Sequence, residues 1–316
     1  MFIKTLVASA LISMSAIATA DSTYPSGGVK IITPMAVGSG PDTVVRQVAR
    51  DLSIKWNQPV VVVNRPGGSG TVALMAFINE PANGLNLFLA SSDNIVSYPT
   101  LYKNDSYINA MVAVAPLHRT SLMLISNSSI NSYQDLVKAI NKNPIYGSWG
   151  IGSPAQLVSL QLLETLGIKN SNHLPYKDYG QWFIDVADQR VSFSFPTLGS
   201  ALPMQKLGKI KFFATTSSRR DPNYPDVPTI RELTGEQPVM STTWTAFYVR
   251  RDVDPTIRSQ ISRDIQQVIH QPEIQARFKT LSWDYWNMSL DEFNKHTELE
   301  QQHFKTLANQ YNINIE

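Results

Sequence analysis

The chain has 316 residues, 43% hydrophobic, 16% charged and 9% aromatic, a globular composition that excludes disordered and collagen-like chains. Lys and Arg number 27 against 25 Asp and Glu, a formal charge of +2 with no dense basic run, which argues against a nucleic-acid partner. The absence of cysteine excludes disulfides, thiolate nucleophiles, Cys-ligated zinc or iron–sulfur sites and a lipidated bacterial N-terminus.

At about 150 residues per domain the length predicts two domains. In residues 1–20, Lys4 precedes an apolar run from Leu6 to Ile17, followed by Ala18-Thr19-Ala20 before Asp21. This reads as a secretory signal peptide cleaved near Ala20. A membrane anchor is the poorer reading, because the run contains Ser9, Ser13 and Ser15 and falls short of the roughly 20 apolar residues that span a bilayer. The expected location is periplasmic.

From Val29 onward short β-branched runs alternate with amphipathic stretches. Residues 29–32 read as a strand and 34–40 as a turn. Over 42–56, Val45, Val48, Ala49, Leu52 and Trp56 share one helical face. Strand 60–63, turn 64–70, helix 71–78 and strand 85–90 repeat the pattern, which implies parallel pairing with crossover helices. A second set begins near Leu117: strand 121–125, a helix opened by Ser132 with Asp135 three residues on, strand 145–149, helix 154–166, and strands 191–195 and 211–215. Residues 217–228, with three prolines, read as a connection. A strand at 243–249, a helix at 255–270 and a long C-terminal helix near 290–311 complete the chain. The expected division is a discontinuous first domain of residues 21–116 and 229–316, with 117–228 as the second. Ligands of open α/β sheets bind beyond the carboxyl ends of the strands, so the cleft between the domains is the expected site.

Three glycine-rich turns lie between a strand and a helix: Gly38-Ser39-Gly40, Gly67-Gly68-Ser69-Gly70, and Gly147 through Ser153. Glycine lets a backbone approach a ligand, and the amides at a helix start attract an anion. Each turn also has a purely structural account, since βα turns use glycine and hydroxyl caps, and Asp42 repels an anion unless its side chain is spent on capping. Gly150-Ile151-Gly152-Ser153-Pro154-Ala155 fits the dinucleotide pattern, but positions 168–174 carry no acid to hold a ribose. The chain has no Gly-x-Ser-x-Gly elbow, Walker loop or His-Glu-x-x-His motif, and its five histidines are scattered. Trp182, followed by Phe183, reads as core. Trp149 and Tyr176 flank turns and read as core or cleft lining. Arg65 and Lys177 are the nearest cations to those turns, as loop ties, solvated charges or carboxylate partners.

Along essentially its whole length after residue 20 the chain resembles one family. The resemblance rests on Tyr24-Pro25, Ile31-Ile32-Thr33-Pro34, the Gly38 turn ending at Asp42, and the run Gln58-Pro59-Val60-Val61-Val62-Val63-Asn64-Arg65-Pro66-Gly67. Tyr146-Gly147-Ser148, Gly150, Gly152-Ser153, Pro175-Tyr176-Lys177, Pro225-Asp226-Val227-Pro228-Thr229 and Trp244 continue it. In order and spacing these pieces resemble the substrate-binding receptors of tripartite tricarboxylate transporters, the Bug (Bordetella uptake gene) family. The resemblance implies an α/β, two-domain periplasmic-binding-protein fold of type II, a Venus flytrap with its ligand cleft between the domains. It implies a monomer that binds a small carboxylate (a di- or tricarboxylate, amino acid or aromatic acid) without turnover or cofactor and delivers it to membrane permease subunits. Carried over by position, Ala36, Val37, Gly38, Ser39 and Gly40 meet the carboxylate. Gly147, Ser148 and Gly152 contribute from the second domain, and Ser69 and Gly70 line the same wall. Asp42, Trp149, Ser153, Tyr176 and Lys177 complete the candidate lining, with no catalytic or metal-ligating residue. The chain departs from the family pattern at Val37-Gly38-Ser39, usually Pro-Gly-Gly, and at Trp149, usually Ala, Gly or Thr. Gln156 stands for His, Asp178 for Gly, Asp188-Gln189 for Gly-Gly and Ser192 for Asp. Two rival readings are a ligand-sensing module for a membrane sensor kinase and an exported hydrolase using Ser39 or Ser153.

Overall fold

The computed structural model describes residues 24–67, 70–104 and 106–314; the expected signal peptide and Ser69 lie outside the described residues. Two sheets carry the fold. In the first, β1 (Val29–Thr33) pairs in parallel with β2 (Val60–Asn64) and β3 (Asn86–Ser91). The long β4 (Met111–Ser121) and β10 (Thr242–Arg250) run antiparallel to one another, and β10 also runs antiparallel to β3. Short β11 (Asp284–Tyr285) adds to β4, giving the order β11-β4-β10-β3-β1-β2. In the second sheet β6 (Ile145–Ser148) is parallel to β7 (Asn172–Pro175) and β8 (Phe193–Ser194). Strand β5 (Met123–Asn127) lies antiparallel to β8 and to β9 (Ile210–Thr215), in the order β7-β6-β8-β5-β9.

Helix α1 (Gly40–Trp56) shows how local sequence sets this architecture. Ser39 caps its start, Pro41 suits the first turn, and Asn57 in the left-handed conformation ends it. Its expected face is buried, with Val45, Val48 and Leu52 fully enclosed. They pack with Leu87, Leu89 and Phe247 of the first sheet and with Ile261 and Ile265 of α10 (Pro255–Ile269), beside α11 (Pro272–Thr280). Helix α2 (Thr71–Ile78) lies against the other face, where Phe77 stacks on Phe88 at 5.3 Å. After β3 the chain makes a π-helical turn, Asp93–Ser97, and two short helices, α3 (Tyr98–Leu101) and α4 (Ser106–Asn109).

The chain crosses to the second sheet between Ser121 and Met123. There α5 (Tyr133–Lys142), capped by Ser132 through the Asp135 amide as expected, is joined by α6 (Pro154–Thr165), α7 (Tyr179–Ala187) and α8 (Leu198–Lys206). Helix α9 (Ile230–Thr234) stays with the second sheet, because Thr229 bridges Thr215. The Thr216 hydroxyl donates to the Ser241 carbonyl at 2.7 Å where the chain returns.

One apolar cluster joins the two sheets. It runs from Ile32, Phe88 and Ala246 through Phe293, Phe304 and Leu307 of α12 (Leu290–Gln310) to Leu124, Tyr146, Leu157 and Phe193. Beyond α12, the Tyr311 hydroxyl donates to Glu164 of α6 at 2.8 Å. No helix among the described residues is long and apolar enough to cross a membrane.

Candidate functional site

The loops that follow β3 and β6 meet, as expected for ligand sites at the carboxyl ends of parallel strands. In the first turn Ala36, Val37 and Gly38 are exposed, and Gly38 has φ +80°, the left-handed region that favours glycine. Its amide does not stand free for a ligand, as the sequence led one to expect: it donates to Asp42 Oδ2 at 2.8 Å. Asp42 is buried at 1% exposure, and it also accepts from Arg46 Nε at 3.0 Å and Asn64 Nδ2 at 2.7 Å. Burial alone would raise its pKa, but the donors Arg46, Gly38 and Asn64 outweigh that and hold the carboxyl below its ordinary value. The helix start thus carries its own anion. Ser39 is likewise spent, its hydroxyl accepting from the Asp42 amide. Gly40 faces inward, where a Cβ would lie 3.2 Å from Trp283.

Of the second turn, Gly67 and Gly70 are described. Gly70, at φ +93°, presses against Asn94, and its amide donates to the Gly67 carbonyl at 2.9 Å.

In the third turn Gly147 packs on the Trp182 indole and Ser194, which leaves no room for a side chain. Gly152, at φ +74°, packs on Leu101 of α3 and Phe304 of α12. Both glycines are required by this close packing, since a side chain at either would collide with its neighbours. A connected chain of hydrogen bonds occupies the other polar groups. The Gly152 amide donates to Gln156 Oε1 at 2.7 Å, Gln156 Nε2 lies 3.2 Å from His173 Nδ1, and His173 Nε2 lies 2.7 Å from Ser148 Oγ. The Ser148 hydroxyl donates to the Gly150 carbonyl at 2.9 Å. With Gln156 donating to Nδ1, the imidazole proton sits on Nε2 and points at Ser148. That polarity is the reverse of what a nucleophilic serine needs, and Ser148 is fully buried. Burial lowers the His173 pKa to about 4, so the ring stays neutral. Ser153 caps α6 through the Gln156 amide. Among the described residues neither Ser39 nor Ser153 is paired with a base; both hydroxyls cap helices.

Tyr176 donates to Asp185 at 2.7 Å and stacks on Trp182; Lys177 and Arg65 are exposed. Asp178, which stands where the family pattern has Gly, caps α7 through the Gln181 amide.

Trp149 makes the direct polar contact between the two loops: its indole Nε1 donates to Asp93 Oδ2 at 2.7 Å. Asp93 is buried, its Oδ1 has no hydrogen-bond partner, and burial pushes its pKa up to about 6 despite the Trp149 bond. Sequence reasoning missed Asp93 because it searched glycine turns, and the turn after β3 has none. The polar run Ser91-Ser92-Asp93-Asn94 at a strand's carboxyl end was the available signal. Near the first turn the Trp283 indole N–H is also buried without an acceptor, its ring stacked 3.5 Å from His118. A cavity of about 50 Å³ opens beside the crossover, lined by Ser121, Thr215, Ser217, Arg219 and Asp284; it suits water rather than an organic acid. Among the described residues no three His, Asp or Glu side chains converge as a metal site.

The profile of the tripartite tricarboxylate transporter family receptor matches residues 44–313. The chain belongs to that receptor family. BugT of Bordetella pertussis is 27% identical over 264 residues, 81% of this chain and 80% of BugT. Among solved structures, MatC of Rhodopseudomonas palustris with bound malate superposes with TM-score 0.79 at 20% identity, covering 90% of this chain and 99% of MatC. A second R. palustris protein, solved with adipate, gives 0.83 at 21% identity, covering 92% and 99%. The receptor therefore has the two-sheet periplasmic-binding fold, and its relatives of known fold are binding proteins. In this structure the amides of Gly38, Gly70 and Gly152 donate to Asp42, the Gly67 carbonyl and Gln156.

Proposed function

We propose that the protein is an exported receptor that captures a small carboxylate between two lobes and delivers it, chemically unchanged, to membrane permease subunits. The observation that carries this reading is the family match over residues 44–313. The malate and adipate named with two structural neighbours support a small acid as ligand. In this reading the expected boundaries at 116/117 and 228/229 move to where the chain changes sheets, so that residues 24–121 and 242–314 form one lobe and 122–241 the other, and residues 1–20 are removed on export. The receptor acts as a monomer.

The lobes part to admit ligand, breaking the Trp149–Asp93 bond, the Asn223–Ser282 contact of 3.1 Å and the packing of Leu101 on Gly152. Carboxylate capture then falls to donors the chain has not already used. The amides of Ala36, Val37 and Gly40 have no acceptor among the described residues, and the Trp283 ring packs against Gly40. An acid bridging these to the second lobe stabilises the closed form by its differential affinity for that form.

Thermal melts with mono-, di- and tricarboxylates at stated millimolar concentrations test the reading, with NMR of each acid after incubation. One class of acid raises Tm in a concentration-dependent way and is recovered unchanged. Turnover of the acid, or no shift with any class, contradicts it.

A further inference from the structure

Asp93 is a buried carboxylate at the junction of the lobes, and no cation among the described residues pairs with it. Its Oδ2 takes the Trp149 indole N–H, and its Oδ1 takes nothing. It sits in the opening turn of a π-helical segment, Asp93–Ser97, a distortion frequent at functional sites. A charged oxygen enclosed without a donor is costly, and native structures rarely retain one without a use. On the neighbouring helix α12, Glu300 accepts from the Trp244 indole at 2.7 Å, and His296 Nε2 lies 3.1 Å from Glu300 Oε1.

The opposite lobe presents aromatic rings. Trp149 lies 6.3 Å from Trp182 between ring centroids, and Tyr179 lies 5.4 Å from Trp182. Tyr179 is 39% exposed over the whole residue, yet its phenol is raised above the ordinary tyrosine value, first by burial of the hydroxyl and then by the negative charge of Asp93. One unneutralised acid in an otherwise aromatic setting is chemistry that suits a positively charged nitrogen, and it opposes a second negative group.

We infer that Asp93 is the specificity-determining residue of the cleft, and that it selects a zwitterionic acid, one bearing an ammonium or quaternary nitrogen, over the corresponding plain acid. The inference rests on the receptor reading above. The ligand's carboxylate takes the free donors near Ala36 to Gly40, and its cationic nitrogen takes Asp93 Oδ1. In the ligand-free closed form the Trp149 N–H is the stand-in donor to Asp93.

Calorimetric titration of the purified protein with matched pairs differing by one charged nitrogen tests this. The pairs are propionate with β-alanine, succinate with aspartate, glutarate with glutamate, and acetate with glycine betaine. The expected result is that in at least one pair the zwitterion binds tenfold or more tightly than its plain partner. Asp93→Asn erases that difference, weakening the zwitterion while the plain acid still binds. Trp149→Phe, which removes the stand-in donor and keeps the carboxylate, retains the preference, whereas a merely structural Asp93–Trp149 tie predicts that both variants behave alike. Plain acids binding as well as or better than every zwitterion, or an Asp93→Asn protein that keeps the preference, overturns the inference and leaves the receptor reading intact. Failure of every acid to bind overturns both.

Discussion

Single side chains decide which donors are left for a ligand. Asp42 and Gln156 occupy equivalent places, each three residues beyond a capping serine, and each turns back to take a glycine amide, of Gly38 and Gly152 respectively. Asp42→Ala removes one buried anion and leaves Gly38, Arg46 and Asn64 without their shared acceptor. We expect a loss of about 3 kcal/mol in urea unfolding; a loss below about 1 kcal/mol would mean that the three donors find water instead. The serine caps were legible from sequence, because a hydroxyl three residues before a polar side chain is a local pattern. That the same turns consume their own amides was not, since it depends on rotamers that bring Asp42 and Gln156 back over the turn.

Packing at the element level fixes how α6 meets α3 and α12. Gly152 sits in the left-handed region with Leu101 and Phe304 where a side chain would go. Gly152→Ala is expected to cost about 2–3 kcal/mol from overpacking and the positive φ together. Adding Leu101→Ala should recover the steric part and keep the backbone part. If Gly152→Ala melts like the wild type, α3 and α6 do not pack this closely in solution. The elements themselves were partly legible. Helices with one apolar face, α1 and α10, and the βα units around β1, β2 and β3 follow from periodicity and turn residues. Strand β4 escaped because eight of its eleven residues are buried and no alternation marks it. Strand β7, Asn-His-Leu-Pro, lacks β-branched residues, and α8 carries Gly199 and Pro203 inside a helix. Tertiary packing overrides local preference at those places.

For the whole molecule, buried titratable groups link stability to pH. Burial lowers His118 to about 3 and His173 to about 4. Below pH 6.5 the unfolded chain therefore takes up protons that the folded one refuses, and stability falls as pH drops from about 6.5 towards 4. Asp93 acts with the opposite sign: raised to about 6 by burial, it binds a proton in the folded state first and returns part of the loss as pH falls from about 6 to 4. Tm should decline between pH 6.5 and 4.5 in the wild type and more steeply in Asp93→Asn. Equal slopes would mean that Asp93 is not buried in solution.

The fold class and the receptor family were legible because their turn motifs span the chain. Lobe closure was not, because it is a property of contacts between Asp93 and Trp149, 56 positions apart. Capture by closure is tested most directly by a distance measurement. The cysteine-free chain accepts spin labels at Ile54→Cys and Leu207→Cys, exposed positions in the two lobes at 75% and 69%. Pulsed electron resonance without ligand should show a broad distribution reaching longer distances, and an acid that raises Tm should collapse it to one shorter, narrow distance. A distribution that the same acid leaves unchanged would contradict capture between closing lobes.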